Sequence, residues 1–253
     1  MSNAAPKIEI KDLSVSYGAA TVLRNVSMDI QHHEILSIIG PANSGKSSLL
    51  LAINHMLDRI PGASVTGSIL LDGKNFGAGD DIEELRRRIG MVYAMPIPLP
   101  MTIRENILFG PRLKRKVSRS EGDAIIEKTL RAAYLWEEVK DRLNTSAQNL
   151  SGGQQQRLCL ARTLAVEPEI IMYDEPCSGL DPISTARVEE AMKELKSVHT
   201  QILVTNNTKQ AARVGDRTAF LLMGELVEID TTARIFTMPS DERTEQYVTG
   251  KFG

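Results

Sequence analysis

Apolar and polar positions alternate over two early stretches of the chain. From Lys7 to Ser16 the apolar side chains are Ile8, Ile10, Leu13 and Val15, and the run from Val22 to Ile30 follows the same rule. Such alternation is what half-buried antiparallel strands require, so the two runs predict an N-terminal β-layer. The pattern then changes. Glu34 to Ile39 runs apolar into Gly40, a glycine-bearing loop follows, and Ser47 to Leu57 carries helical spacing. Ser68 to Leu71 predicts a further strand, closed by a turn at Asp72-Gly73 and followed by a polar helix from Asp80 to Arg88 and a strand from Ile89 to Val92. Between about residues 96 and 165 the periodicity is helical. Ile170 to Tyr173 is a short apolar run bounded by Pro168 and the acidic pair Asp174-Glu175, as in a buried parallel strand. Val188, Ala191, Met192 and Leu195 return to helical spacing, and Gln201 to Thr205 predicts the next strand. Strands alternating with helices imply an α/β fold with a mainly parallel sheet.

Composition narrows the functional classes. With 253 residues and 42% hydrophobic content, the chain can bury a core without disulfides or metal. Lys plus Arg number 30 against 32 Asp plus Glu, so the net charge of −2 leaves no electrostatic footprint for nucleic acid or anionic lipid. The one basic cluster, Arg112 to Lys116, reads as a solvated face. Apolar runs such as Ile35 to Ile39 fall far short of the roughly 18 to 20 residues that cross a bilayer, so membrane contact is expected through other proteins. No secretory signal opens the chain, and residues 1–6 read as a disordered N-terminus. Cys159 and Cys177 are too few and too far apart for a disulfide framework or a metal pair.

The strongest chemical signal is Gly40-Pro41-Ala42-Asn43-Ser44-Gly45-Lys46-Ser47. It matches G-x-x-x-x-G-K-[ST] and lies between a predicted strand and a predicted helix, the context a phosphate loop needs. Successive N–H groups and the helix N-terminus wrap an anion, Lys46 reaches the outer phosphates, Ser48 lies one residue on, and Ser47 offers a hydroxyl to Mg²⁺. Asp174 ends the run Ile170 to Tyr173 at the C-terminal edge of a parallel strand, where α/β sheets collect ligands. It is placed to hold magnesium, and Glu175 to polarise a water for attack on the γ-phosphate. Alone, such a pair is as readily a solvated loop; the phosphate loop upstream favours function.

Leu150-Ser151-Gly152-Gly153-Gln154-Gln155-Gln156-Arg157 resembles the LSGGQ signature of ABC ATPases. The resemblance implies the ABC ATPase fold: a P-loop NTPase core with an N-terminal antiparallel β-layer and an inserted helical subdomain. A single domain is expected over 7–253, with the subdomain at about 96–165 in a RecA-like core. It also implies that Ser151, Gly152, Gly153 and Gln154 face the γ-phosphate held by a second copy, giving a head-to-tail homodimer with two ATP molecules between the chains. Ser178-Gly179-Leu180-Asp181 looks like the family's D-loop, and Tyr17 stands where the family stacks an aromatic on adenine. The same tyrosine is also an ordinary packed strand-end residue. The likeness is closest to the ATP-binding subunit of phosphate importers, through Pro98 to Gly110, Cys177 to Thr185, Gln210 to Arg213, Gly224 to Leu226 and the tail from Glu245 to Gly253. A cytoplasmic motor on the inner face of the cell membrane, bound to separate permease subunits, is what that likeness implies. Met91, Met95 and Met101 either line a groove for such a subunit or pack plainly.

Two positions depart from the family. Ala94 stands where a glutamine touches Mg²⁺ and the attacking water, and Asn206 stands where a histidine contacts the γ-phosphate. His199 lies at the other end of its strand, roughly 20 Å away when extended, and His32, His33 and His55 fall in other elements. Losing one transition-state donor commonly costs roughly 10²- to 10³-fold in rate, so nucleotide binding is expected to outlast turnover. Two functions therefore compete: an import motor, and a nucleotide-binding regulatory or structural subunit that scarcely hydrolyses ATP. A soluble ABC protein of DNA repair or translation is a third, but those carry paired units or a long coiled-coil insertion absent from this sequence.

Overall fold

The computed structural model describes residues 5–76 and 80–251. Residues 1–4, on which the expectation of a disordered N-terminus mainly falls, and 252–253 of the tail lie outside them. The strands are β1 (Ile8–Tyr17), β2 (Ala20–Ile30), β3 (Ile35–Ile39), β4 (Ala63–Leu71), β5 (Lys74–Asn75), β6 (Ile89–Val92), β7 (Ile170–Asp174), β8 (Thr200–Val204), β9 (Arg217–Leu222) and β10 (Glu225–Thr231). The helices are α1 (Lys46–Ile53), α2 (Ile82–Arg88), α3 (Ile103–Lys114), α4 (Arg119–Ala132), α5 (Trp136–Val139), α6 (Gly152–Leu164), α7 (Pro182–Leu195), α8 (Thr208–Val214), α9 (Thr232–Thr237) and α10 (Glu242–Val248).

Two sheets form. One is antiparallel in the order β2-β1-β4-β5, and the other runs β10-β9-β3-β8-β7-β6. Within the second, β9, β3, β8, β7 and β6 are mutually parallel and β10 returns antiparallel on the edge. Because β3 is central, its C-terminal end opens beside those of β7 and β8. The central strands are buried on both faces, which is why they read as unbroken apolar runs. Leu36, Ile38, Met172, Ile202 and Val204 join Leu49 and Ile53 of α1 and the antiparallel layer in one core. Ile35, Ile171, Tyr173 and Leu203 point the other way, into a second core with α3, α4, α6 and α7. Each fully buried Leu or Ile contributes roughly 1.5–3 kcal/mol.

The first helix is shorter than its periodicity predicts. It stops at Ile53, because His55 takes a left-handed φ of 56°, and Leu57 is buried instead by a short 3-10 turn. The fourth strand starts five residues earlier than expected; Ala63 to Gly67 pairs with β1 through its backbone, with little apolar signal.

Charge ties the layers together. Lys7 bonds Asp72 at 2.8 Å and also Glu169, and Arg88 reaches Glu169 at 2.7 Å and Asp72. The Arg88 hydrogen bond, aided by Lys7 and opposed by burial, pulls the Glu169 carboxyl down to about 2. A carboxylate with a depressed folded-state value stabilises above its unfolded value of about 4.3 and loses that contribution as pH falls toward 2. Glu169→Gln should therefore lower the melting temperature by a few degrees at pH 7. Chemical denaturation should show the gap to the unmodified chain shrinking between about pH 4.5 and pH 2; a gap constant with pH would mean the network contributes nothing through charge.

Candidate functional site

The loop from Gly40 to Gly45 leaves the end of β3 and enters α1. Side-chain oxygens cap α2, α3, α4, α6, α7 and α8, whereas the N-cap of α1 is Gly45, which has no side chain and a φ of 93°. No acidic residue stands in its first turn. The orphan N–H groups and the positive end of the helix dipole are thus left for an anion. Ala42 and Asn43 are exposed on the loop, while Ser44 and Lys46 are buried. The Lys46 ammonium donates to the carbonyls of Gly40 and Pro41, both at 2.8 Å. Burial lowers its pKa, and Glu175 and Asp174 nearby oppose that.

From the end of β7 come the acidic partners. Ser47 Oγ donates to Asp174 Oδ1 at 3.0 Å, setting a hydroxyl beside a carboxylate. Glu175 turns the chain with a φ of 51°, a left-handed conformation costing about 1 kcal/mol in a non-glycine residue. Its amide bonds the Val204 carbonyl at 2.9 Å, and its Oε1 accepts the Asn206 N–H at 2.8 Å. Burial raises the pKa of both Asp174 and Glu175; Ser47 and Lys46 oppose this at Asp174, the Asn206 amide and Lys46 at Glu175. The sheet thus gathers Lys46, Ser47, Asp174, Glu175 and Asn206 at one edge. Tyr17, half-buried at the end of β1, reaches the same helix, its hydroxyl 3.1 Å from Ser48 Oγ.

Ser151 and Asp181 form a second cluster. Ser151 caps α6 by accepting the Gln154 N–H, and Gln154 returns the bond to the Ser151 amide at 3.1 Å. Gly152 is exposed. A Cβ on Gly153 would sit 2.0 Å from Ser184 Oγ, so only glycine lets α6 approach α7 here. Asp181 caps α7, accepting the Ile183 and Ser184 amides at 2.9 Å and the Ser184 hydroxyl at 2.6 Å. Sequence reasoning missed Ser184, and also Gln156, whose Nε2 donates to the Tyr93 carbonyl at 2.9 Å and ties α6 to the end of β6. It missed Thr205, buried after β8, whose hydroxyl accepts the Asn207 N–H at 3.0 Å. The run of glutamines after the signature was the one available hint.

A family model described as ABC transporter matches residues 23–178, more than half of the chain. The chain belongs to the ABC transporter family. Its fold is the ABC ATPase fold, and the protein is an ATP-binding domain of that family, whose members hydrolyse ATP. Among solved structures it is similar to cbiO1 from Clostridium perfringens, part of the ABC transporter complex cbiONQ, with 22% identity over 93% of this chain and 92% of that one and a TM-score of 0.81. A dimeric post-hydrolysis state of the ATP-binding cassette MJ0796, bound to ADP and Pi, is 29% identical over 89% of this chain and 98% of that one, with a TM-score of 0.77. A bacterial Atm1-family ABC exporter with ATP bound matches all of this chain with 43% of its own, at 22% identity and a TM-score of 0.82.

In this ABC domain both departures fall on the same sheet edge. Ala94 follows β6 and presents only a methyl group, and Asn206 follows β8 with its side chain exposed. The histidines are engaged elsewhere: His199 bonds the Pro168 carbonyl at 2.8 Å, His55 lies 3.2 Å from Asp58, and His32 lies 3.8 Å from Asp72 with its ring tilted against that of His33, centroids 6.2 Å apart. Burial pushes the Cys177 thiol up to about 11, that of an inert packing residue. Among the described residues, no helix is long and apolar enough to cross a membrane.

Proposed function

We propose that this chain is the subunit that powers an ABC importer, with inorganic phosphate as the solute, through ATP-driven head-to-tail pairing of two copies. The observation that carries the motor reading is the convergence of Lys46, Ser47, Asp174 and Glu175 on one sheet edge beside an uncapped helix N-terminus. In this reading Lys46 and the amides from Asn43 to Ser48 hold the β- and γ-phosphates, and Tyr17 packs on the adenine. Glu175, a half-buried carboxylate of raised proton affinity, orients and deprotonates the attacking water. Ser47 Oγ and Asp174 Oδ1 are hard oxygen donors of the kind Mg²⁺ prefers; the ion would neutralise phosphate charge there. Ser151, Gly152, Gly153 and Gln154 serve the nucleotide of the other copy, with Asp181 at the junction. The helices between β6 and β7 constitute the subdomain inserted at about 96–165 in a single domain over 7–253.

The phosphate assignment rests on the sequence segments from Pro98 to Gly110 and from Glu245 onward that resemble phosphate-import subunits. An exposed apolar strip, with Tyr93 at 47%, Met95 at 72%, Ile97 at 65% and Met101 at 37% accessibility, offers permease subunits a surface on the cytoplasmic side of the membrane. One observation favours a second reading: with Ala94 and Asn206 in place, the chain binds and dimerises on ATP as a regulatory subunit with little turnover.

Ser151→Arg tests the pairing. Placed at the helix mouth, the side chain should leave ATP binding to one copy within about 2-fold and block ATP-dependent dimerisation, read by light scattering. In membranes holding the permease subunits, phosphate uptake should stop as well. Dimerisation that persists overturns the sandwich; uptake of a different solute retires phosphate and keeps the motor.

A further inference from the structure

The residues that cap α6 are themselves held from another helix. Ser151 Oγ accepts the Gln154 N–H at 3.3 Å, which leaves the hydroxyl proton of this exposed serine to donate elsewhere. Gln154 Oε1 accepts the Ser151 N–H at 3.1 Å, so the amino group of the same amide must face away from Ser151. There its Nε2 donates to Glu138 Oε2 of α5 at 2.8 Å. A carboxylate only accepts, whereas a primary amide has one accepting and one donating end, so Glu138 permits one orientation of the Gln154 side chain. The flipped amide would turn its amino group on the Ser151 N–H, two donors facing each other. Glu138 is fixed in turn by Arg157, three residues further along α6. That guanidinium is 4% exposed and donates to both oxygens of the Glu138 carboxylate, to the Gly153 carbonyl at 3.2 Å and to the carbonyl of Tyr134, just past the end of α4. The pair is electrically balanced, so the carboxylate does not repel an anion brought to the mouth of α6.

We infer that Glu138 is a positioning residue for the pairing of two copies: through Gln154 it fixes the peptide of Ser151, and with it the hydroxyl and amides offered to the nucleotide of the second copy. The inference rests on the pairing reading of residues 150–157. In this arrangement both ends of the Gln154 amide are engaged within its own chain, and the side chain serves by holding Ser151. A cap held in one orientation before the chains meet loses less freedom when they close on ATP, so Glu138 acts on the affinity of the closed pair. The affinity of a single chain for ATP belongs to the phosphate loop and does not depend on it.

Glu138→Gln keeps the size of the side chain and removes its charge. Its one oxygen can still serve Arg157, but its amino group then meets the amino group of Gln154, and the cap loses its fixed orientation. Pairing on a non-hydrolysable ATP analogue, measured by sedimentation, should weaken about 10-fold or more, the scale of a charge-assisted hydrogen bond. Titration at a chain concentration too low for pairing should show analogue affinity within about 2-fold of the unmodified chain, because the phosphate loop is untouched. A role confined to packing around Arg157 would lower the melting temperature alone, and a double-mutant cycle tells the two apart. Gln154→Ala leaves the Arg157–Glu138 pair intact and should weaken pairing by a similar factor. In the Gln154→Ala background, Glu138→Gln should then cost pairing little more, since both act through one amide. Full-strength pairing in either single variant would overturn the inference, as would an equal cost of Glu138→Gln in both backgrounds. Ser151→Arg, run alongside, separates the failures. Pairing that survives it sinks the signature reading and the role of Glu138 with it, whereas blocked pairing there with undiminished pairing in Glu138→Gln sinks only that role.

Discussion

Replacing Lys46 with alanine should reduce ATP affinity by at least about 100-fold while leaving the fold intact. The side chain is the one ammonium inside the loop, and charge-assisted bonds to phosphate contribute about 1.5–3 kcal/mol each. Without nucleotide the same ammonium sits buried on the Gly40 and Pro41 carbonyls, and its lowered pKa records what burial costs the charged form. Alanine removes that buried charge, so the loss of two hydrogen bonds is partly offset and the melting temperature should shift by only a few degrees. Fluorescent-nucleotide titration and thermal melting measure the two effects separately. Unchanged affinity would refute the assignment of residues 40–47; collapse of the fold would show that Lys46 is chiefly a structural cap for the loop.

Why Lys46 was legible in the sequence and Gln156 was not is a matter of locality. The phosphate loop is built from consecutive residues whose backbone does the work, so its spacing survives in one dimension, and the strand before it announces itself as an unbroken apolar run. Asp174 and Glu175 were legible for the same reason, standing at the end of β7. Gln156 reaches the Tyr93 carbonyl only because the fold brings α6 to the end of β6, and Glu175 takes the Asn206 N–H only because β8 lies beside β7. No local pattern encodes those meetings.

The fold divides along similar lines. Alternation located β1 and β2, and double-sided burial located β3, β7 and β8. Ala63 to Gly67 carried no alternation because those residues of β4 are mostly exposed and are held by backbone bonds to β1. The strands β9 and β10 went unassigned, although Thr218 to Leu221 is a buried run much like that of β3. Helix α1 was drawn too long because Leu57 keeps the apolar rhythm through a turn that is no longer α-helical.

Restoring glutamine at 94 and histidine at 206 should raise ATP turnover by about 10-fold or more, with ATP affinity moving much less. The two side chains would add contacts at the reacting end of the nucleotide, and a single transition-state donor of this kind commonly contributes roughly 10²- to 10³-fold. The surroundings are prepared for both. Asn206 gives Glu175 its backbone N–H at 2.8 Å, a bond that a histidine side chain leaves untouched. Ala94 is only partly buried, and the peptide before it is fixed by Gln156 on the Tyr93 carbonyl at 2.9 Å, so a longer side chain would start from a defined position with room to extend. Asn206→His alone should produce a gain, and Ala94→Gln should add more in its presence than by itself, because both act on one transition state. Steady-state phosphate release from the two single variants and the double variant, each saturated with Mg-ATP, measures that coupling. Should the unmodified chain already turn over at the rate of the double variant, then Glu175 together with the groups supplied by the second copy suffices. The reading of this chain as a slowed motor would then be wrong.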